Sequence, residues 1–308
     1  MDARAPITRS RGRHVRENVN ALVYLLPALV IIGFFMAFPL VYSAYLSFFD
    51  WDGLSAKVFR GLGNYAAIIR DAFFWRSLEN NLVISVVAVV AQVFLGFVIA
   101  YCLVRVLLRG KRGYLFFYVI PLVVSEICIG LLWSFVYNPY FGLLNGLLHT
   151  LGLGGLAKGW LGDPSTAFPS VINAMNWTYL GLYILLFVNS IQNVPETTFD
   201  AAQIDGAGHF RSFFSIVIPM TWDSISSTAL LCVVSAFKTF SLVLVLTNGG
   251  PSHVSEVLST YLYKIGFGTF QMGYAATIGT VQMVLTAAVG AVVLRMMARS
   301  KSAGAYTS

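Results

Sequence analysis

Charge is what this chain has least of. Only 11% of its 308 residues are Asp, Glu, Lys or Arg, whereas a soluble domain averages about 25%. With 57% hydrophobic residues and a mean hydropathy of +0.75, its surface is unsuited to water, which excludes an ordinary soluble enzyme or binding module. The three cysteines, Cys102, Cys128 and Cys232, lie far apart in apolar stretches, so neither a disulfide framework nor a thiolate metal site has support. The histidines, His14, His149, His209 and His253, form no H-x-x-x-H pair. Also missing are a G-x-x-x-x-G-K-[ST] phosphate loop, a G-x-S-x-G elbow and an H-E-x-x-H helix. No nucleotide site, metal, cofactor or catalytic set is therefore expected in this chain.

Long apolar runs are what it has in abundance. Six of them cover residues 22–49, 82–104, 114–137, 168–188, 224–246 and 273–297, each near or above the roughly 20 residues that a helix needs to cross a bilayer. A membrane barrel would need segments of about 10 residues that alternate in polarity, and "LVISVVAVVAQVFLGFVIAYCLV" does not alternate. The reading is an all-α integral membrane protein of six transmembrane helices. The first run is too long for a signal-peptide core and is expected to stay as an anchor. Lys and Arg set the orientation, because cytoplasmic flanks carry the excess. With the amino terminus inside, the inner segments hold thirteen of them, including Arg105, Arg109, Lys111, Arg112 and Arg211. The outer segments hold six, Lys57, Arg60, Arg70, Arg76, Lys158 and Lys264, and Lys238 falls within a run. Both termini are then cytoplasmic, and the net charge of +7 follows from topology without a nucleic-acid partner.

The organisation that results is a basic segment 1–20, one membrane domain 21–298 and a tail 299–308. In the longest outer loop, Leu143, Leu144, Leu147, Leu148 and Leu151 recur at helical spacing, which predicts an interfacial helix. The inner loop after the fourth run is more polar, especially "FDAAQIDGAGHFRSFFSIVIP", residues 199–219. Asn193 is expected to cap a helix there, with Pro195 and Glu196 in its first turn. Asp205-Gly206 signals a turn. A second helix then carries Phe210, Phe213, Phe214 and Val217 on one face. The result is a helix-turn-helix over 193–220 with paired carboxylates, suited to docking in a groove of a soluble partner. A plain amphipathic connector would not need that pairing around a glycine turn.

Asp200, Ala201, Ala202, Asp205, Gly206, Ala207, Phe213, Ile216 and Pro219 resemble the E-A-A, D-G-A and spaced F-I-P pattern in the cytoplasmic loop of permease subunits of binding-protein-dependent ABC importers. Asp200 departs from the usual Glu. The stretches "FRGLGNYAAIIRDAFFWRSLENNL", "WLGDPSTAFPSVINAMNWTYLG" and "VLTNGGP" are similar to the carbohydrate-uptake branch, in the larger subunit of the maltose-type permease pair. That resemblance implies a second permease chain, two ATP-binding subunits that carry ATP and Mg, an extracytoplasmic solute-binding protein and an inner-membrane location. It makes the polar loop a coupling element for the ATPase. It also implies that the fifth helix lines the pathway at Phe237, Lys238, Thr239 and Ser241.

Lys238 and Glu126 are charged groups near the middle of apolar runs, and such groups face a bundle interior or water. They read either as a structural tie between helices or as substrate-path groups. Asn173 and Asn176, near Trp177 and Tyr179, would suit a sugar path, while the two rings equally suit the interfacial belt. "TNGGPS", 247–252, is an outer turn that suits contact with a binding protein. The function expected is sugar import driven by a partner ATPase. The alternatives are the same machinery for a polyol, a glycerophosphate or another non-sugar, an integral membrane enzyme, or a stand-alone carrier.

Overall fold

The computed structural model describes residues 24–106 and 110–304, with side chains to residue 295. The basic segment 1–20, Arg109 and the last residues of the tail lie outside them. Helix α1 (Tyr24–Leu46) is apolar throughout, and none of its apolar window is buried against the rest of the chain. A two-residue hairpin, β1 (Phe49–Asp50) and β2 (Val58–Phe59), and a short helix α2 (Gly63–Arg70) follow. Helix α3 (Ala72–Val106) has 35 residues and so reaches about 52 Å, well beyond a hydrocarbon core of about 30 Å. It starts ten residues before the second apolar run because Asp71 caps it, taking the Phe73 and Phe74 N–H groups at 2.9 and 3.2 Å.

The third run is not a straight span. Helix α4 (Lys111–Val123) and helix α5 (Glu126–Val136) meet at 102°. Pro121 lies in the last turn of α4, where it removes a donor and crowds the preceding turn, and Val124 is extended. Hydropathy registers apolarity and not direction, so the run looked continuous. The helix expected in the loop after this run is present as α6 (Leu143–Thr150). Helix α7 (Ala167–Gln192) crosses in one piece. It lies so close to α4 that a Cβ on Gly181 would stand 1.9 Å from the Tyr118 carbonyl oxygen.

Helix α8 (Glu196–Ile204) and helix α9 (His209–Met220) form the polar helix-turn-helix. Asn193 does not cap α8. It closes α7, whose last turn runs to Gln192, and Pro195 precedes α8 instead. The aromatic face of α9 is split as well. Phe213 and Val217 are buried, whereas Phe210 and Phe214 are exposed with ring centroids 4.8 Å apart. The cause is a wide π-type turn over Phe213–Val217, which breaks a stripe drawn at 3.6 residues per turn.

Helix α10 (Trp222–Phe237) turns 73° from α9. The fifth run also breaks, since α10 ends at Phe237 and α11 (Ser241–Leu246) restarts after Lys238, Thr239 and Phe240. Lys238 is therefore a helix-end residue and not a mid-helix one. The freed carbonyls are taken up by side chains of neighbouring helices. Asn81 donates to Ala236 O at 3.0 Å and Gln282 to Phe237 O at 2.7 Å, which is the condition for irregular backbone at membrane depth. A short α12 (Leu258–Tyr263) and a long α13 (Met272–Gly304) complete the chain.

Among the described residues there are three apolar clusters, of which one joins Ile68, Phe74, Leu258, Tyr261 and Ile278 and two lie at the centre of the bundle. One joins Phe97, Tyr101, Phe187, Phe199, Phe213 and Val217 beside the polar loop. The other joins Ile84, Ile129, Val171, Leu242, Leu246 and Val257 towards the opposite face.

Candidate functional site

Between these clusters lies a cavity of about 360 Å³, within the roughly 300–1,000 Å³ usual for small-molecule sites. It opens at the two helix breaks. Glu126 enters at the first residue of α5, and Lys238, Thr239, Phe240 and Ser241 enter from the gap between α10 and α11. Gln92 of α3, Tyr179 and Tyr183 of α7, and Cys232 and Ser235 of α10 complete the polar and aromatic wall. Glu126 accepts a hydrogen bond from the Tyr179 hydroxyl, and among the described residues no ion pair joins it to Lys238. The carboxylate and the ammonium thus face one space without neutralising each other. Lys238 also lines a groove of about 610 Å³ between α10 and α13.

Not every residue expected on the path is here. Asn176 stands one layer behind, accepting from Gln92 Nε2 at 2.9 Å. Phe237 is fully packed inside the bundle. Asn173 belongs to a separate cavity of about 400 Å³, where it donates to the Tyr137 hydroxyl at 3.0 Å. Sequence reasoning overlooked Gln92, a lone amide in "VVAQVFLG" whose polarity within an apolar run was the available signal.

The polar loop lies at the opposite end of α3 from Asp71. Asp200, Ala201, Asp205, Gly206 and Pro219 are exposed, Ala202 and Ala207 half-buried, and Phe213 buried. Gly206 has φ +75° and open space around it. It closes α8 in a Schellman motif, with Gly206 N–H bonding Gln203 O at 3.0 Å and Ala207 N–H bonding Ala202 O at 2.8 Å. Two side chains of α3 hold this loop against the bundle. Arg105 Nη1 meets both Glu196 carboxylate oxygens at 2.9 and 2.7 Å, while its guanidinium carbon sits 3.7 Å from the Phe199 ring centroid. The Tyr101 hydroxyl donates to His209 O at 2.7 Å. Among the described residues, Asp200 and Asp205 make no ion pair, so both carboxylates are open to a partner.

At the other face, the loop containing "TNGGPS" folds over Glu256, which is fully buried. Lys264 Nζ at 2.6 Å, His253 Nδ1 at 2.9 Å and Thr260 Oγ1 at 2.5 Å surround its carboxylate. Asn80 of α3 bonds Val254 O and Glu256 O at 3.0 and 2.7 Å. Asp71 accepts from the Tyr261 and Tyr274 hydroxyls, each at 2.6 Å. Burial, with the Asp71 bond adding to it, pushes the pKa of the Tyr261 hydroxyl up, so it remains a donor at any physiological pH.

A helical membrane bundle with a polar cavity at its helix breaks is the architecture of a transport permease. The chain belongs to the family described as binding-protein-dependent transport system inner membrane component, which matches residues 92–301. It is a permease of a binding-protein-dependent ABC importer. It is 39% identical over 267 residues to the Probable ABC transporter permease protein YurN of Bacillus subtilis, covering 85% of this chain and 90% of that one. With the diacetylchitobiose uptake system permease protein NgcF of Streptomyces coelicolor it shares 34% identity, covering 84% and 76%. Its fold matches a bacterial alginate ABC transporter solved in complex with an alginate pentasaccharide-bound periplasmic protein. There the TM-score is 0.82 at 18% identity, covering 93% and 96% of the chains.

Proposed function

We propose that this permease carries a sugar or sugar-like solute into the cytoplasm by alternating access through the central cavity. The observation that carries the reading is the cavity wall, where one carboxylate, one unpaired ammonium, an amide, several hydroxyls and the rings of Tyr179 and Phe240 face a single space. Hydroxyl-rich solutes need many directional donors and acceptors beside flat apolar surfaces, and this wall supplies both. Relatives named for diacetylchitobiose, lactose and multiple-sugar transport support the same cargo class. Glu126, Lys238, Thr239 and Ser241 are assigned to direct solute contact. Asn176 is a support for Gln92, and Phe237 is a packing residue beneath the helix break.

The loop over Asp200, Ala201, Ala202, Asp205, Gly206, Ala207, Phe213 and Pro219 is assigned to docking on an ATP-binding subunit. ATP and Mg bind there and not on this chain. A second permease chain, a second ATPase and an extracytoplasmic solute-binding protein complete the complex, with both termini of this chain cytoplasmic. The excess of Lys and Arg beside the docking face supports that orientation. The test is ATPase activity of the purified complex in lipid, titrated with sugars and sugar phosphates in the presence of the binding protein. Stimulation by a sugar supports the reading. Failure of any ATPase to co-purify with the chain overturns it.

A further inference from the structure

The hairpin that follows α1 folds a lysine back onto that helix. Lys57 Nζ stands 4.9 Å from the ring centroid of Tyr42, 5.6 Å from that of Tyr45 and 5.1 Å from that of Trp51, all within the reach of cation–π attraction. One of its N–H groups donates to the Tyr42 hydroxyl at 2.8 Å. The Trp51 ring is fixed in turn by its own N–H on Ser55 O at 2.9 Å. The acidic side chains of this hairpin do not neutralise the ammonium. Asp52 accepts from the Leu54 and Ser55 N–H groups and from the Ser55 hydroxyl, Asp50 lies 3.7 Å from Arg60, and among the described residues Lys57 makes no ion pair. The cation is therefore held by three rings while two of its three donors stay open.

The level of this cation in the bilayer follows from α1. Its apolar run begins at residue 22, so the roughly 20 residues that cross the hydrocarbon core end near Tyr42 and Tyr45, where head groups begin. From there a row of rings runs back along the unburied helix. Phe34, Phe38, Tyr42 and Tyr45 follow one another with centroids 6.2, 5.8 and 6.1 Å apart, and Phe34 and Phe38 are 64% and 58% exposed. Phe34 to Tyr45 is about 16 Å of helix, close to the depth of about 15 Å that one leaflet occupies in a 30 Å core. We propose that the ring row and Lys57 bind one anionic phospholipid of the phosphatidylglycerol type, its acyl chain along the rings and its phosphate on the ammonium. An uncompensated cation calls for net negative charge. A choline head group would bring a second cation to a cage that Lys57 already fills. The proposal does not depend on which solute the permease carries.

The test uses the whole complex, with its ATPase, in nanodiscs of phosphatidylcholine doped with a trace of phosphatidylglycerol that carries a photoreactive diazirine on its acyl chain. A second preparation carries the same diazirine on phosphatidylcholine. Peptide mapping should place the phosphatidylglycerol label within residues 34–59, at roughly five times the level given by the phosphatidylcholine probe. Unlabelled phosphatidylglycerol should suppress that label, and millimolar inorganic phosphate should not. Lys57→Gln should lower it about fivefold, the worth of one lysine at a lipid surface, while Lys57→Arg should keep it, with the ATPase rate reporting intact assembly. Equal labelling by the two probes, or full labelling in Lys57→Gln, makes the segment an unselective belt and overturns the site. Suppression by inorganic phosphate gives the ammonium to a free anion and overturns the lipid assignment. An unlabelled segment in which a carbodiimide joins Lys57 to a carboxylate of another subunit gives this face to protein, and that result overturns it as well. If Lys57→Gln fails to assemble, the comparison of the two probes on the wild type still decides.

Discussion

Replacing Arg105 with Gln should uncouple ATP hydrolysis from transport without unfolding the bundle. Arg105 is the joint between α3 and α8. Its side chain is 22% exposed, whereas that of Glu196 is 75% exposed. The ion pair is therefore screened from one side and contributes about 0.5 kcal/mol. A single nitrogen, Nη1, serves both carboxylate oxygens, so the geometry falls short of the stronger fork-to-fork pairing. The guanidinium over Phe199 is more sheltered and contributes about 1 kcal/mol. Together they favour the docked loop by about 1.5 kcal/mol, or roughly tenfold in its docked to undocked ratio. The apolar cluster around Phe97, Phe187 and Phe213 is untouched, so membrane insertion and assembly should persist. The assay is ATP hydrolysed per solute imported, measured in proteoliposomes for wild type, Arg105→Gln and the swap Arg105→Glu with Glu196→Arg. The single variant should raise that ratio several-fold. The swap rebuilds the ion pair but not the ring contact, so it should recover only about a third of the lost energy. A ratio unchanged in Arg105→Gln, at normal assembly, would refute the idea that α3 takes up the movement of α8.

Gly206→Asp should leave insertion intact and abolish coupled uptake. With φ +75° and nothing nearby, the variant pays about 1–2 kcal/mol of backbone strain in the turn offered to the ATPase; normal uptake would remove the docking assignment. Gln282→Leu should lower thermal stability in lipid by about 1–3 kcal/mol, because it strips the Phe237 carbonyl of its donor. An unchanged melting temperature in that variant would mean that the break beside Lys238 needs no support from α13. Glu256→Ala should cost about 1–3 kcal/mol by taking from Thr260, Lys264 and His253 the buried carboxylate that they face. It should loosen the outer loop first, which hydrogen exchange at residues 247–256 would detect against unchanged exchange in α8.

Composition alone was enough to identify an all-helical membrane protein, because about 20 consecutive apolar residues have few other stable settings. The polar loop was equally legible, since Asp205-Gly206 and the spaced Phe213, Ile216 and Pro219 are local features. Local reasoning stopped where direction mattered. Pro121 and Lys238 were visible in the sequence, but whether each ends a helix depends on who receives the freed backbone groups. Asn81 and Gln282 are 155 and 45 residues from the carbonyls they bind. The same limit hid Gln92, which lines the cavity, and put Asn173 on the path although it lies in a separate cavity. Hydropathy and turn chemistry are properties of neighbours along the chain, and they set which segments enter the membrane. The cavity, the Arg105 joint and the burial of Glu256 arise from contacts between distant segments, so only tertiary packing could decide them.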